Sequence, residues 1–167
     1  TEVLGKPDAP GVDVLAIIRR YDLPVHFPDE AVAESERAPG GIDQAEIAKR
    51  TDLRGQVTFT IDPIDAKDFD DAVSIAHTDD DGWELGVHIA DVSHYVHRGS
   101  VMDREAVRRG ISCYFVDRVI PMLPERLSND LCSLKPDIDR LTKSAIARLD
   151  RHGKVVSYDI ADTVIHS

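Results

Sequence analysis

The sequence is short of features that several protein classes require. Its only two cysteines, Cys113 and Cys132, are far apart and form no CxxC pair, which fits a reducing cytoplasm, although one disulfide between them stays open. No apolar run approaches the roughly 20 residues of a membrane span, and the pattern predicts no signal peptide. We therefore expect a cytoplasmic protein without a membrane partner.

Basic residues are also scarce. Twenty Lys and Arg face 31 Asp and Glu, which gives a net charge of −11 and a pI of about 4.9. Because nucleic-acid coating modules need clustered Lys and Arg, this balance argues against that class. It still allows a nuclease, whose metal-holding acids lower the net charge. No Walker loop, GxGxxG or GxSxG motif occurs.

One stretch is rich in acid. Residues 62–71 read DPIDAKDFDD, with five aspartates and only Lys67 to offset them. A like-charge pair roughly 4 Å apart costs about 4 kcal/mol at a surface-like dielectric, so a fold that gathers these groups needs a proton, a base or a cation. Aspartate oxygens suit Mg²⁺, with Mn²⁺ as the alternative ion. An EF-hand is excluded because its sixth position must be Gly, and counted from Asp62 that position is Lys67. A solvated acidic turn is the simpler alternative.

The flanks of this stretch predict how the acids are held. Residues 56–61 alternate with period two, as a half-buried strand does, and Pro63 would end the strand. Residues 72–76 predict a second strand. Carboxylates from two strand ends and one loop would then converge, as a metal site requires.

The remaining pattern predicts an α+β fold, mostly of antiparallel hairpins. Residues 1–51 read as a helical connector, with helices at 13–21 and 29–37 and a short helix capped by Asp43. Residues 52–167 read as β hairpins, with one helix at 101–109 capped by Ser100. One hairpin pairs 72–77 with 83–89 through the turn at Gly82, and another pairs 141–149 with 155–165. In the first hairpin, one face is predicted to be the apolar one: Trp83, Leu85, Val87 and Ile89.

Two smaller groups of residues also have side chains suited to a function. His88, His94 and His97 with Asp91 make a zinc site conceivable, but on a strand His94 and His97 would face opposite sides. Phe115 fits core packing, whereas Tyr114 would point the other way and offer a stacking face to a base, which is worth about 1–3 kcal/mol.

Together these residues resemble the ribonuclease II / ribonuclease R family, and the ribonuclease R branch more closely. The resemblance rests on residues 60–74, on HIADVSHYV at 88–96 and on VIPMLPERLSN at 119–129, in that order. Upstream, residues 1–5, 10–19 and 52–54 look like the tail of a cold-shock domain and its link into the catalytic RNB domain. Residues 1–51 would then be the linker after a cold-shock-type domain, and 52–167 the N-terminal part of an RNB domain.

The resemblance implies a function. Family members hydrolyse single-stranded RNA processively from the 3′ end and release nucleoside 5′-monophosphates. Four family aspartates match Asp62, Asp68, Asp70 and Asp71, which would hold Mg²⁺, with Asp70 the most rate-sensitive; Asp65 matches none. Tyr114 matches an aromatic residue near the 3′-terminal base that helps to set the final product length.

Family members are several times longer than this chain, which reads as a fragment that need not be active alone. Two alternatives remain, each with its own signature. A truncated RNA-binding or scaffold protein of the same fold would bind RNA without releasing mononucleotides. A cation-binding structural module would melt in a metal-dependent way and ignore RNA. The sequence indicates no oligomeric state.

Overall fold

A computed structural model describes residues 3–6 and 8–167 of the chain. The fold is mixed α+β around one six-stranded, mostly antiparallel sheet, which confirms the predicted fold class. Thr1, Glu2 and Pro7 lie outside the described residues, and with them part of the predicted connector and of the first stretch that resembles the family. Across the described residues, no helix is long and apolar enough to span a membrane.

The described residues form four α-helices and eight strands, with two short helical turns of other types. The helices are α1 (Val12–Arg20), α2 (Asp29–Glu36), α3 (Gln44–Ile47) and α4 (Val101–Arg109). The strands are β1 (Thr51–Asp52), β2 (Thr58–Phe59), β3 (Asp71–His77), β4 (Trp83–Ala90), β5 (Cys113–Tyr114), β6 (Val119–Ile120), β7 (Asp139–Leu149) and β8 (Val155–His166). A 3₁₀ turn spans Val92–His94 and a π-helical turn spans Leu127–Leu131.

The large sheet has the strand order β1-β8-β7-β4-β3-β2, and β5 and β6 form a separate pair. All neighbours in the large sheet are antiparallel except β1 and β8. Both predicted hairpins, β3–β4 and β7–β8, are present. The backbone N–H of Thr78 donates to the carbonyl of Gly82 over 3.0 Å and closes the first of these hairpins.

The strand predicted over residues 56–61 is much shorter than expected. Only β2 pairs, with Thr58 opposite Ser74 and Phe59 opposite Val73. Because β2 is the edge strand it has one neighbour only, and Val57 and Ile61 on either side of it are each 83 % exposed. Burial alternates along this segment, but its apolar positions are the exposed ones and Thr58 is the buried one, so the pattern overestimated the strand.

The predicted apolar face of β4 is the less buried of its two faces. Ile89 is 47 % exposed, whereas its neighbour His88 is fully buried. The His88 ring has Nε2 at 2.9 Å from the Ser74 Oγ and Nδ1 at 2.7 Å from the Ser144 Oγ. These hydrogen bonds let a polar face be buried, because each ring nitrogen has a partner.

The buried face of the sheet is covered by α4 and the π-helical turn. The core there is made of Ala72, Ala90, Met102, Leu127, Leu131, Cys132, Leu134 and Ile165. The opposite face, called the open face below, exposes five apolar side chains on three registered rows: Phe59 with Ile160, Ile75 with Tyr158, and Ile89.

The predicted helix caps are present. Asp43 accepts a hydrogen bond from the Ala45 N–H at the start of α3, and the Ser100 hydroxyl accepts one from the Asp103 N–H in α4. In α1, Ile18 is buried, whereas Tyr21, the last residue of the predicted helix at 13–21, lies past the helix end and is 65 % exposed.

The segment before β1 is tied to the rest of the domain by one ion pair and one contact between a guanidinium and an aromatic ring. The Arg50 Nη2 lies 2.7 Å from the Asp91 Oδ2, and both side chains are almost fully buried. The guanidinium of Arg109 lies 3.5 Å from the centre of the Phe27 ring and donates to the carbonyl of His26. Residues ahead of β1 therefore pack against the sheet domain.

Candidate active site

A cleft of about 600 Å³ lies at the start of β3. All five aspartates of the acidic stretch line it: Asp62, Asp65, Asp68, Asp70 and Asp71. The four predicted ligands are thus brought together, and Asp65, which the sequence comparison left out, faces the same cleft. The elements that hold them are the loop after β2 and the first residue of β3.

The pairing of β3 with β4 fixes one end of this loop. Asp71 is the first residue of β3 and pairs with Ile89, and the carbonyl of Asp70 accepts a hydrogen bond from the Ala90 N–H over 3.0 Å. The other end is held by a local turn, in which the Ala66 N–H donates to the carbonyl of Pro63. The acids near β3 are therefore attached to the sheet, whereas those near Pro63 belong to a turn.

The crowded charges act on Asp70. Its pKa is raised, first by loss of water around the carboxyl and then by the charges of Asp68, Asp71 and Asp62. A bound cation would offset this repulsion, and carboxylate oxygens are the donors that Mg²⁺ and Mn²⁺ prefer. In residues 3–6 and 8–167, no three His, Cys, Asp or Glu side chains are arranged to hold a metal ion. The donors fit such an ion in chemistry.

Tyr114 reaches the same cleft from β5. Its hydroxyl donates a hydrogen bond to the Asp68 Oδ2, and this contact with an acceptor raises the pKa of Tyr114 to about 12. The side chain is 60 % exposed, so its ring remains open to a ligand. Phe115 lines the cleft beside it.

Other residues on the cleft wall were not singled out by their pattern. Arg118, Glu125 and Asn129 also line the cleft. The Arg118 Nη2 lies 2.7 Å from the Asp117 Oδ2, so its charge is shared with a neighbour. Glu125 and Asn129 fall within the VIPMLPERLSN stretch, which was a signal for the region but not for these two side chains.

The histidine group is dispersed. His88 is buried between two serines, and His94 lies in a 3₁₀ turn rather than on the strand assumed for it. Asp91 is bound to Arg50 and accepts a hydrogen bond from the Ser93 hydroxyl. Asp91 and His88 thus serve the packing of the domain.

The family model described as RNB domain matches residues 50–167, which include the acidic cleft and Tyr114. The chain belongs to the RNB domain family. A second model, described as cold shock domain, matches residues 1–28.

The chain is similar over nearly its whole length to bacterial proteins called ribonuclease R. Ribonuclease R 1 of Lactococcus lactis is 48 % identical over 165 residues, and ribonuclease R of Thermotoga maritima is 49 % identical over 168. Each alignment covers 99 % of this chain but only 20 % and 24 % of the relative. The chain therefore spans about a fifth to a quarter of the length of these relatives.

A solved structure has the same fold. RNase R of Mycoplasma genitalium, in complex with ribose-methylated single-stranded RNA, superimposes with a TM-score of 0.91 at 34 % identity. The match covers 100 % of this chain and 26 % of that chain. This chain thus has the fold of about a quarter of that longer protein.

Proposed function

We propose that this chain carries the metal-binding part of an exoribonuclease site. The reaction is the processive 3′-to-5′ hydrolysis of single-stranded RNA to nucleoside 5′-monophosphates. The observation that carries the proposal is the cleft lined by aspartates within an RNB domain, in which loss of water and then the charges of three neighbouring carboxylates raise the pKa of Asp70. The ribonuclease R relatives and the RNA-bound neighbour support the same substrate class.

In this proposal Asp62, Asp68, Asp70 and Asp71 hold Mg²⁺, with Mn²⁺ as the alternative ion. When bound, the metal supplies activation of the attacking water and neutralises charge on the leaving 3′-oxygen. The aspartates also discourage RNA phosphates from entering until a cation offsets their charge. The charges of all three other carboxylates act on Asp70, and its substitution should lower the rate of hydrolysis more than substitution of any of the other three.

Tyr114 has a separate role in the proposal. Its exposed ring stacks on the 3′-terminal base and helps to set the length of the last product. Its hydroxyl orients the Asp68 carboxylate through their hydrogen bond. The ring and the hydroxyl are therefore separable by substitution.

The domain division and location are part of the same proposal. Residues 1–51 act as the linker that follows a cold-shock-type domain, and residues 52–167 form the N-terminal part of the catalytic domain. The two cysteines are free in the described structure, which supports a reducing, cytoplasmic location.

The test is hydrolysis of 5′-labelled single-stranded RNA with Mg²⁺. The chain is compared with Asp70→Asn, which keeps the shape and removes the charge, and with Asp79→Asn, an exposed acid in the β3–β4 turn, as the matched control. We expect a ladder that shortens from the 3′ end in the parent and in the control but not in Asp70→Asn. Near-parental activity in Asp70→Asn would contradict the role of Asp70.

RNA binding is measured on the same samples by fluorescence anisotropy. Binding without any mononucleotide release would favour the non-catalytic RNA-binding or scaffold protein. Metal-dependent melting without RNA affinity would favour the structural cation module. Either result contradicts the proposal that this chain hydrolyses RNA.

A further inference from the structure

Ser133 lies outside the acidic stretch but contacts the backbone of that stretch. The side chain is fully buried, two residues after the end of the π-helical turn. Its hydroxyl donates to the carbonyl of Lys67 over 2.7 Å and accepts from the N–H of Phe69 over 3.1 Å. These two residues are the neighbours of Asp68, so a single oxygen holds the backbone on both sides of a proposed metal ligand.

Further contacts make this attachment rigid. The next residue, Leu134, donates its N–H to the carbonyl of Phe69 over 2.9 Å. Ser133 is fixed in turn by Arg140 of β7, whose Nε donates to the Ser133 carbonyl over 2.8 Å. A connected path of hydrogen bonds thus runs from the sheet through Ser133 to the loop beside Asp68.

We infer that Ser133 is a positioning residue that holds the Asp68 part of the loop in place for cation binding. This inference rests on the proposed function, since it concerns the same acids. Repulsion between the carboxylates pushes the loop apart, and the bridge opposes it before any cation arrives. Outer contacts that orient ligands typically change metal affinity 10–100-fold. Ser133 acts on the backbone rather than on a carboxylate, so we expect the lower end of that range.

The experiment measures Mn²⁺ affinity of the 167-residue chain by electron paramagnetic resonance, without RNA. Ser133→Ala removes both hydrogen bonds and should weaken Mn²⁺ binding about tenfold. Ser35→Ala is the matched control, because the Ser35 hydroxyl is also buried but bonds only within α2. That control should bind Mn²⁺ like the parent. Equal Mn²⁺ affinity in Ser133→Ala and the parent would overturn the inference.

A second variant separates positioning from stability. Ser133→Thr keeps the hydroxyl but adds a methyl group in a filled space, so it should lower the unfolding midpoint in urea while retaining most of the Mn²⁺ affinity. If Mn²⁺ affinity instead follows the unfolding midpoint across all variants, Ser133 contributes to folding only and the inference fails.

Hydrogen exchange gives a readout that needs no metal. In Ser133→Ala the amide of Phe69 should exchange about tenfold faster, as expected for one lost hydrogen bond, and the amides of α2 should not change. If the parent binds Mn²⁺ no better than Asp70→Asn, the proposed function fails. Unchanged exchange at Phe69 would instead overturn the bridge itself.

Discussion

Gly86 occupies a place on β4 where no side chain fits, and replacing it should destabilise the domain. A Cβ at this position would lie 2.4 Å from the Ser74 Oγ and 2.6 Å from the His88 Nε2. Those two atoms are themselves joined by a 2.9 Å hydrogen bond in the buried face of the sheet. Gly86→Ala must therefore push the two side chains apart or distort the strand.

The magnitude follows from the two effects. Overpacking a filled core costs about 1–3 kcal/mol, and leaving a buried ring nitrogen of His88 without its partner costs about 1–3 kcal/mol more. Alanine lowers the conformational entropy of the unfolded chain relative to glycine, which stabilises the folded state by only about 0.4–1 kcal/mol. We expect the free energy of unfolding to fall by about 2–4 kcal/mol, as the balance of these effects.

Urea unfolding followed by circular dichroism measures this change. Gly55→Ala is the control, since no heavy atom lies within 4 Å of a Cβ at that position, and it should leave stability nearly unchanged. Adding Ser74→Ala to Gly86→Ala removes the nearest obstructing atom and should make the two changes non-additive. A loss below about 1 kcal/mol for Gly86→Ala alone would refute the steric argument.

Three further outcomes are expected. Asp91→Asn leaves the Arg50 guanidinium buried without its closest carboxylate, and urea titrations should show a free energy of unfolding lower by about 3 kcal/mol. A loss of only about 0–1 kcal/mol, as for a surface ion pair, would contradict the argument from burial. Tyr114→Phe should weaken Mn²⁺ binding through Asp68 while keeping the length of the smallest RNA product, and Tyr114→Ala should change that length; identical product ladders on a gel would remove the stacking role. Burial lowers the pKa of His88 below 6.5, so the unfolded chain binds more protons than the folded chain just below that pH. The free energy of unfolding should therefore be highest above pH 6.5 and fall on acidification by up to about 1.4 kcal/mol per pH unit. His88→Gln should flatten this pH profile, and an unchanged slope would assign the pH dependence to other groups.

Local signals predicted much of the fold. The period-two segments and the Asp-Gly turn are sufficient for the β3–β4 hairpin, and Ser100 marks the start of α4, because these features depend on neighbours in sequence. The acidic stretch likewise placed the cleft near the start of β3. In each case the physical cause lies within a few residues of the effect.

Longer-range effects were not predictable in this way. Alternation in β4 shows that its two faces differ but not which one is covered, and α4 and the π-helical turn cover the face of His88 rather than that of Ile89. Ser133 contacts the acidic loop from 64 residues away along the chain, so nothing near Asp68 indicates it. Asp65 matches no aspartate of the family pattern, yet its place in the loop brings it to the same cleft.

The open face of the sheet has a consequence for handling the protein. Two of its apolar side chains, Tyr158 and Ile160, are 72 % and 69 % exposed. In solution, the net charge of −11 keeps copies of the chain apart. Dissolved salt shortens the reach of that repulsion to about 8 Å at 0.15 M. Ionic strength therefore governs how closely two such surfaces approach during purification and concentration.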